Sequence, residues 1–163
     1  MSNLLKKICQ KKSVEIEYLK ENCSLNSLKK LLPEKKNRGF RDLVFSSNKN
    51  NNNNIIAEIK KASPSAGEIV SEYYPENIAI SYEKSGAGSI SILTEQFFFK
   101  GNIDHLSLIN QNTNIPILRK DFIIDSYQIF ESKVYKADAI LLILSILNDQ
   151  EIKEFIKIAS DIG

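Results

Sequence analysis

From Ile55 onward the chain alternates short apolar runs with amphipathic segments, and no other feature constrains its fold as tightly. The runs are Ile55–Lys60, Ser89–Leu93, Ile115–Arg119 and Ala139–Leu144. Short, almost continuously apolar stretches suit parallel strands buried on both faces. Helix signals lie between them. Pro75 stands where a first helical turn can begin, with Ile78, Ala79 and Tyr82 on one face. Asn102 can cap a helix that turns Ile103, Leu106 and Ile109 inward. Asp125 with Gln128, and Asn148 with Glu151, have capping-box spacing, the second ahead of a stripe of Ile152, Phe155, Ile156 and Ala159. Strand–helix alternation implies an α/β fold with a parallel sheet. An open doubly wound sheet and a closed barrel both satisfy it. Neither a G-x-G-x-x-G nor a G-x-x-x-x-G-K-S/T loop occurs, which tilts the reading toward the barrel. A complete (β/α)8 barrel takes about 250 residues. The chain has 163, so the expectation is the first four βα units of a (β/α)8 TIM-barrel fold.

The segment ahead of the first strand reads differently. Leu4, Leu5, Ile8, Ile16 and Leu19 recur at helical spacing. A second short helix is expected over Leu25–Leu32, capped by Ser24 and stopped by Pro33. Residues 34–54 read as irregular, with Phe40, Leu43 and Val44 as a local apolar patch and Asn48–Asn54 as a polar connector. The expected organisation is therefore an N-terminal helical extension with an Asn-rich connector over 1–54, then the half-barrel over 55–163.

Composition narrows the function classes. A chain 42% hydrophobic and 26% charged is ordinary for a globular protein. Net charge is +2, with basic residues dispersed among acidic ones, so no nucleic acid or membrane partner is expected. Cys9 and Cys23 have no metal-ligand spacing and suit a reducing compartment. There is no apolar stretch of membrane-spanning length and no apolar run of a signal peptide near the N-terminus, so a cytoplasmic location is expected.

In both candidate architectures chemistry sits at the carboxyl ends of the strands. The first strand ends in Glu58-Ile59-Lys60, and alternation puts Glu58 and Lys60 on one face. A carboxylate and an ammonium there must pair with each other or bind something. A strand-end salt bridge and a functional pair explain them equally well. The third strand ends in Arg119-Lys120-Asp121, where Lys120 points opposite to its neighbours. A lysine in that place can bind an anion, form a Schiff base or donate a proton; a solvated rim lysine is the bland alternative. The loop Ala62-Ser63-Pro64-Ser65-Ala66-Gly67 can present N–H groups to a phosphate or carboxylate, or be only a turn. Phe97, Phe98 and Phe99 follow the second strand, where an aromatic can wall an apolar ring. His105 is alone and reads as a surface residue of a helix.

Several of these segments resemble one family. Ala57-Glu58-Ile59-Lys60-Lys61-Ala62-Ser63-Pro64-Ser65 is similar to the first-strand signature of the indole-3-glycerol phosphate synthases. Ser91-Ile92-Leu93-Thr94-Glu95 with Phe99-Lys100-Gly101, Pro116–Asp125, and Ala137–Ile143 resemble that family's next three units. The resemblance implies a barrel. It implies ring closure of 1-(2-carboxyphenylamino)-1-deoxyribulose 5-phosphate with loss of carbon dioxide and water, in tryptophan biosynthesis, with no metal or organic cofactor. It implies Lys120 as general acid and Glu58 as the group that orients it and stabilises developing positive charge. Lys60 would bind the substrate phosphate and Ser63 would shape the pocket. Phe99, Phe122 and Leu141 would line the anthranilate ring. One departure is Lys136, which stands where the family usually has glycine. The family's second half supplies a general-base glutamate, an asparagine and phosphate-gripping backbone, and the chain stops at Gly163. The expectation is that these residues alone turn over no substrate. Association with other tryptophan-pathway enzymes or with the missing half-barrel fits the same reading. The alternatives are a non-catalytic remnant or assembly partner, and another phosphate-binding barrel enzyme.

Overall fold

A computed structural model describes residues 3–34, 37–46 and 54–163. They fall into two compact units. The first gathers the N-terminal helices with Phe122–Val134 and Leu141–Gly163; the second gathers Asn37–Asp121 with Tyr135–Ile140.

The first unit is helical. Helix α1 spans Asn3–Asn22 and α2 Leu25–Lys30. Ser24 caps α2 as expected, its Oγ accepting from Ser27 N–H at 3.2 Å. The later helices are α6, Ser126–Val134, and α7, Asp149–Ile162. Both N-terminal signals are used, and the full capping box is formed at Asn148 and Glu151. Asp125 Oδ1 accepts from Tyr127 N–H at 2.8 Å while Gln128 Oε1 accepts from Asp125 N–H at 3.2 Å. Ahead of α7 the exchange is reciprocal: Glu151 N–H donates to Asn148 Oδ1 at 2.9 Å and Asn148 N–H donates to Glu151 Oε2 at 2.8 Å. Ile16, Leu28, Tyr127 and Phe130 form the core of this unit. Lys12 is also buried there, and Glu15, one turn on, neutralises it at 2.9 Å.

The second unit is built on a parallel sheet. Strand β1 is Ile56–Ile59, β4 Ser89–Leu93, β5 Ile117–Lys120 and β6 Ala139–Ile140. Their order is β1-β4-β5-β6, all parallel. Helix α4, Pro75–Lys84, and α5, Asp104–Asn112, connect them. Ile59, Ile90, Ile92 and Ile117 pack with Ala79, Leu106 and Ile109 into one apolar core, and all of β4 is buried. A short antiparallel pair, β2 at Ala62–Ser63 and β3 at Gly67–Glu68, follows β1. Asp138 ties the sheet to the segment before helix α3, Phe40–Ser46. It accepts from Arg38 N–H and Nε, both at 2.9 Å, and from Ile117 N–H at 2.8 Å.

Several sequence expectations change: the third strand, expected over Ile115–Arg119, runs over Ile117–Lys120, and α2 ends at Lys30 rather than Leu32. The fourth run pairs only at Ala139–Ile140; a 3-10 turn then forms at Leu144–Ile146. Only β5 lies beside that strand among the described residues, so the rest of the run has no ladder to join. The patch at Phe40, Leu43 and Val44 is a helix, α3. Helix α5 starts at Asp104 rather than directly after Asn102, although Asn102 Oδ1 still caps its first turn by accepting from Asp104 N–H at 2.9 Å. Lys136, the departure noted in the sequence, adopts φ +71°, a left-handed conformation that explains why glycine suits this position. The connector over 48–53 lies outside the described residues. Among them, no helix is long and apolar enough to cross a membrane.

Candidate active site

The register of the sheet sets the site. Glu58, Ser91 and Leu118 stand in one row, and Leu93 pairs with Lys120 one side-chain step further along the same face. Continuing β1 by one residue brings Lys60 level with Leu93 and Lys120. Glu58 therefore lies one row below two lysines and reaches both. Lys60 Nζ donates to Glu58 Oε1 at 2.6 Å, and Lys120 Nζ donates to Glu58 Oε2. All three side chains stay partly open to solvent, at 28% for Glu58, 38% for Lys60 and 40% for Lys120, so a ligand can still reach them.

One carboxylate serving two ammoniums leaves this trio of side chains with a net positive charge. Burial pushes the Glu58 carboxyl up; the bonds from Lys120 and Lys60 and their charges together outweigh it and hold its pKa below the ordinary value of 4.5. Glu58 is an anion across the neutral range. It orients both lysine heads.

The other expected residues are less tightly gathered. Ser63 lies in β2, where its Oγ accepts from Ala66 N–H at 3.1 Å. The hairpin thus uses one of the N–H groups expected to be free. Phe99 lies on the loop after β4, and its own N–H donates to Glu95 Oε2 at 3.0 Å. Phe122 and Leu141 belong to the helical unit, where Phe122 C=O accepts from Gln128 Nε2 at 3.0 Å.

Sequence reasoning missed three features of the sheet's carboxyl end. Arg119 and Asp121, each 2% exposed, form a buried cluster with Thr94. Glu95, 1% exposed, accepts from the N–H groups of Phe97, Phe98 and Phe99. His105 is half-buried rather than on the surface. Its ring lies 5.5 Å from that of Tyr73, and its Nδ1 has no hydrogen-bond partner. Burial lowers the His105 pKa, with Lys61 adding to the effect and Asp104 and Glu76 opposing it. Burial alone pushes the Tyr73 hydroxyl up to about 12. Among the described residues no group of His, Cys, Asp and Glu side chains could hold a metal ion.

The family model described as indole-3-glycerol phosphate synthase matches residues 5–163. A protein of that name from Legionella pneumophila (strain Paris) is 41% identical over 162 residues, which cover 99% of this chain and 61% of the relative. One from Campylobacter fetus subsp. fetus is 43% identical over 160 residues, 98% of this chain and 61% of the relative. One from Campylobacter jejuni (strain RM1221) is 53% identical over 109 residues, 67% of this chain and 42% of the relative. The chain thus spans 61% of the length of the first two relatives, and its match to the family model runs almost end to end. The chain belongs to the indole-3-glycerol phosphate synthase family.

Proposed function

We propose that the protein carries out the reaction its family name describes, as a carbon–carbon lyase, and that residues 55–163 are four of the eight βα units of a (β/α)8 barrel preceded by the extension over 1–54. The observation that carries the reading is the pair of ammonium groups that Glu58 holds at the carboxyl end of a parallel sheet. The substrate, 1-(2-carboxyphenylamino)-1-deoxyribulose 5-phosphate, has two anionic groups, and cationic hosts are what it requires.

In this reading the ring carbon that bears the carboxylate attacks the substrate ketone. The C–C bond forms, the C=O π pair moves to oxygen, and Lys120 Nζ gives that oxygen a proton. Positive charge develops on the anilino nitrogen and is stabilised by the fixed negative charge of Glu58. Carbon dioxide then leaves, returning its bonding pair to the ring. The new hydroxyl then leaves as water, the neighbouring N–CH2 carbon gives up a proton, and its C–H pair becomes the C=C bond that completes the indole. Lys60 holds the phosphate. Ser63 shapes the pocket, and Phe99, Phe122 and Leu141 wall the anthranilate ring. Neither metal nor organic cofactor enters any step.

A second reading, an assembly partner that completes its sheet with another half, draws on the open edges. Among the described residues β1 pairs only with β4 and β6 only with β5, and unpaired edges recruit strands. Mass in solution separates the two: a partner of this kind runs as a complex and forms no indole by itself.

The test is direct. Incubated with the substrate, the natural-length protein should release indole-3-glycerol phosphate, seen as the indole chromophore, and borohydride should trap no adduct on Lys120. A trapped Schiff base would assign the lysine to aldolase-type chemistry and overturn the reading.

A further inference from the structure

The loop after β4 is closed at several points by one residue. Glu95 is 1% exposed. Its Oε1 accepts from Phe97 N–H at 3.0 Å, and its Oε2 accepts from Phe98 N–H at 2.7 Å and Phe99 N–H at 3.0 Å. Its backbone carbonyl accepts from Gly101 N–H at 2.8 Å. Two further features show how tightly this ring is drawn. Lys100 adopts φ +52°. Gly101 has no room for a Cβ, which would lie 2.8 Å from the Thr94 Cα and carbonyl carbon. A buried carboxylate that receives three consecutive backbone N–H groups is strongly bound to them, because each lost bond would leave charge unsolvated.

The place of this loop gives the clamp a consequence. Thr94 N–H donates to Lys120 C=O at 3.1 Å, and Leu93 is the register partner of Lys120. The clamped loop therefore leaves the sheet beside the lysine, with Phe99 on it. We infer that Glu95 is a positioning residue that fixes Phe99 as a wall of the substrate's aromatic subsite beside Lys120. This inference rests on the proposed function. Glu95 touches no reacting atom and acts only through the backbone of Phe97–Phe99. A rigid wall adds equally to ground-state and transition-state binding, so its loss is read in KM.

The experiment is a double-variant cycle on the natural-length protein with the same substrate. Phe99→Leu removes part of an apolar wall and should raise KM roughly tenfold. Glu95→Gln turns one acceptor into a donor that faces backbone N–H groups. It should raise KM by a similar factor with kcat changed less than about threefold. The double variant should sit near the same roughly tenfold rise, because once the clamp is open the wall is already lost. A roughly hundredfold rise in the double variant, or an unchanged KM in a folded Glu95→Gln protein, overturns the inference. If Glu95→Gln does not fold, Glu95→Asp keeps the charge and withdraws it by one methylene; the same cycle then applies with a rise of about threefold. Absence of turnover in the unaltered protein overturns the function and this inference together. Turnover in the unaltered protein with independent effects overturns this inference alone.

Discussion

Truncating Asp121 to alanine should unfold the protein far more readily than its size suggests. Arg119 and Asp121 are each 2% exposed. Asp121 Oδ2 accepts from Thr94 Oγ1 at 2.7 Å and from Arg119 Nη2 at 3.0 Å, and Arg119 Nε donates to Thr94 Oγ1 at 3.1 Å. Asp121→Ala leaves the guanidinium buried without this carboxylate. Breaking a buried pair in that way costs about 3–5 kcal/mol. With a urea m value of ~2 kcal/mol/M, the unfolding midpoint should fall by about 1.5–2.5 M. Equilibrium denaturation followed by far-UV circular dichroism measures it. The triple variant Thr94→Val, Arg119→Met and Asp121→Leu is the control. It removes the charges together with their desolvation cost and should fall clearly less than the single variant. A single variant as stable as the parent, or a triple variant that falls as far as the single, refutes the reasoning.

Three further outcomes follow from other parts of the structure. Lys136→Gly should stabilise the protein by about 1 kcal/mol, since glycine adopts φ +71° without the penalty a side chain brings; a melting temperature that does not rise contradicts it. The Glu58 pKa is depressed, so its pairing with the lysines contributes stability that is fully present above the ordinary carboxylate pKa and lost as pH falls through the lowered one. Glu58→Gln should flatten that acid limb of a stability-versus-pH curve, and an unchanged limb counts against the pairing. The His105 pKa is also depressed, because burial disfavours the charged ring. Stability is therefore full above 6.5, declines as pH drops toward the lowered value and levels off below it. His105→Phe should remove that decline in the same titration, and a decline that persists would assign it to another group.

The sheet was legible where a segment's neighbours and its own pattern agree. Ser89–Leu93 is buried throughout and central, with a strand on each side, and its bounds agree with the expected ones. Ala139–Leu144 is more apolar still, but only two residues find a partner. Pattern reports burial, whereas a ladder needs a neighbour. Glu58 and Lys60 were read as sharing a face because strand alternation is local. Lys120, sixty residues away, joined them only through the family resemblance, and the register supplies the geometry.

The buried acids stayed hidden for a different reason. Glu95 looks like a solvated rim charge because its partners are backbone N–H groups, which every residue carries and no residue type advertises. Thr94, Arg119 and Asp121 come from the carboxyl ends of two strands and the residues just beyond them, and nothing in either segment announces that they meet. His105 was misread because the surface that covers it comes from Tyr73, on a loop ahead of α4.

The central claim is that Lys120, held by Glu58, is the acid that protonates the substrate carbonyl. The measurement is the single-turnover rate of indole formation by the natural-length protein, unaltered and as Lys120→Ala, with substrate saturating in both. The account predicts a loss of about 10²–10⁴-fold with substrate still bound, the range expected when a general acid is removed. Turnover by Lys120→Ala at the unaltered rate would contradict it and leave the Glu58–Lys120 pair as a strand-end salt bridge.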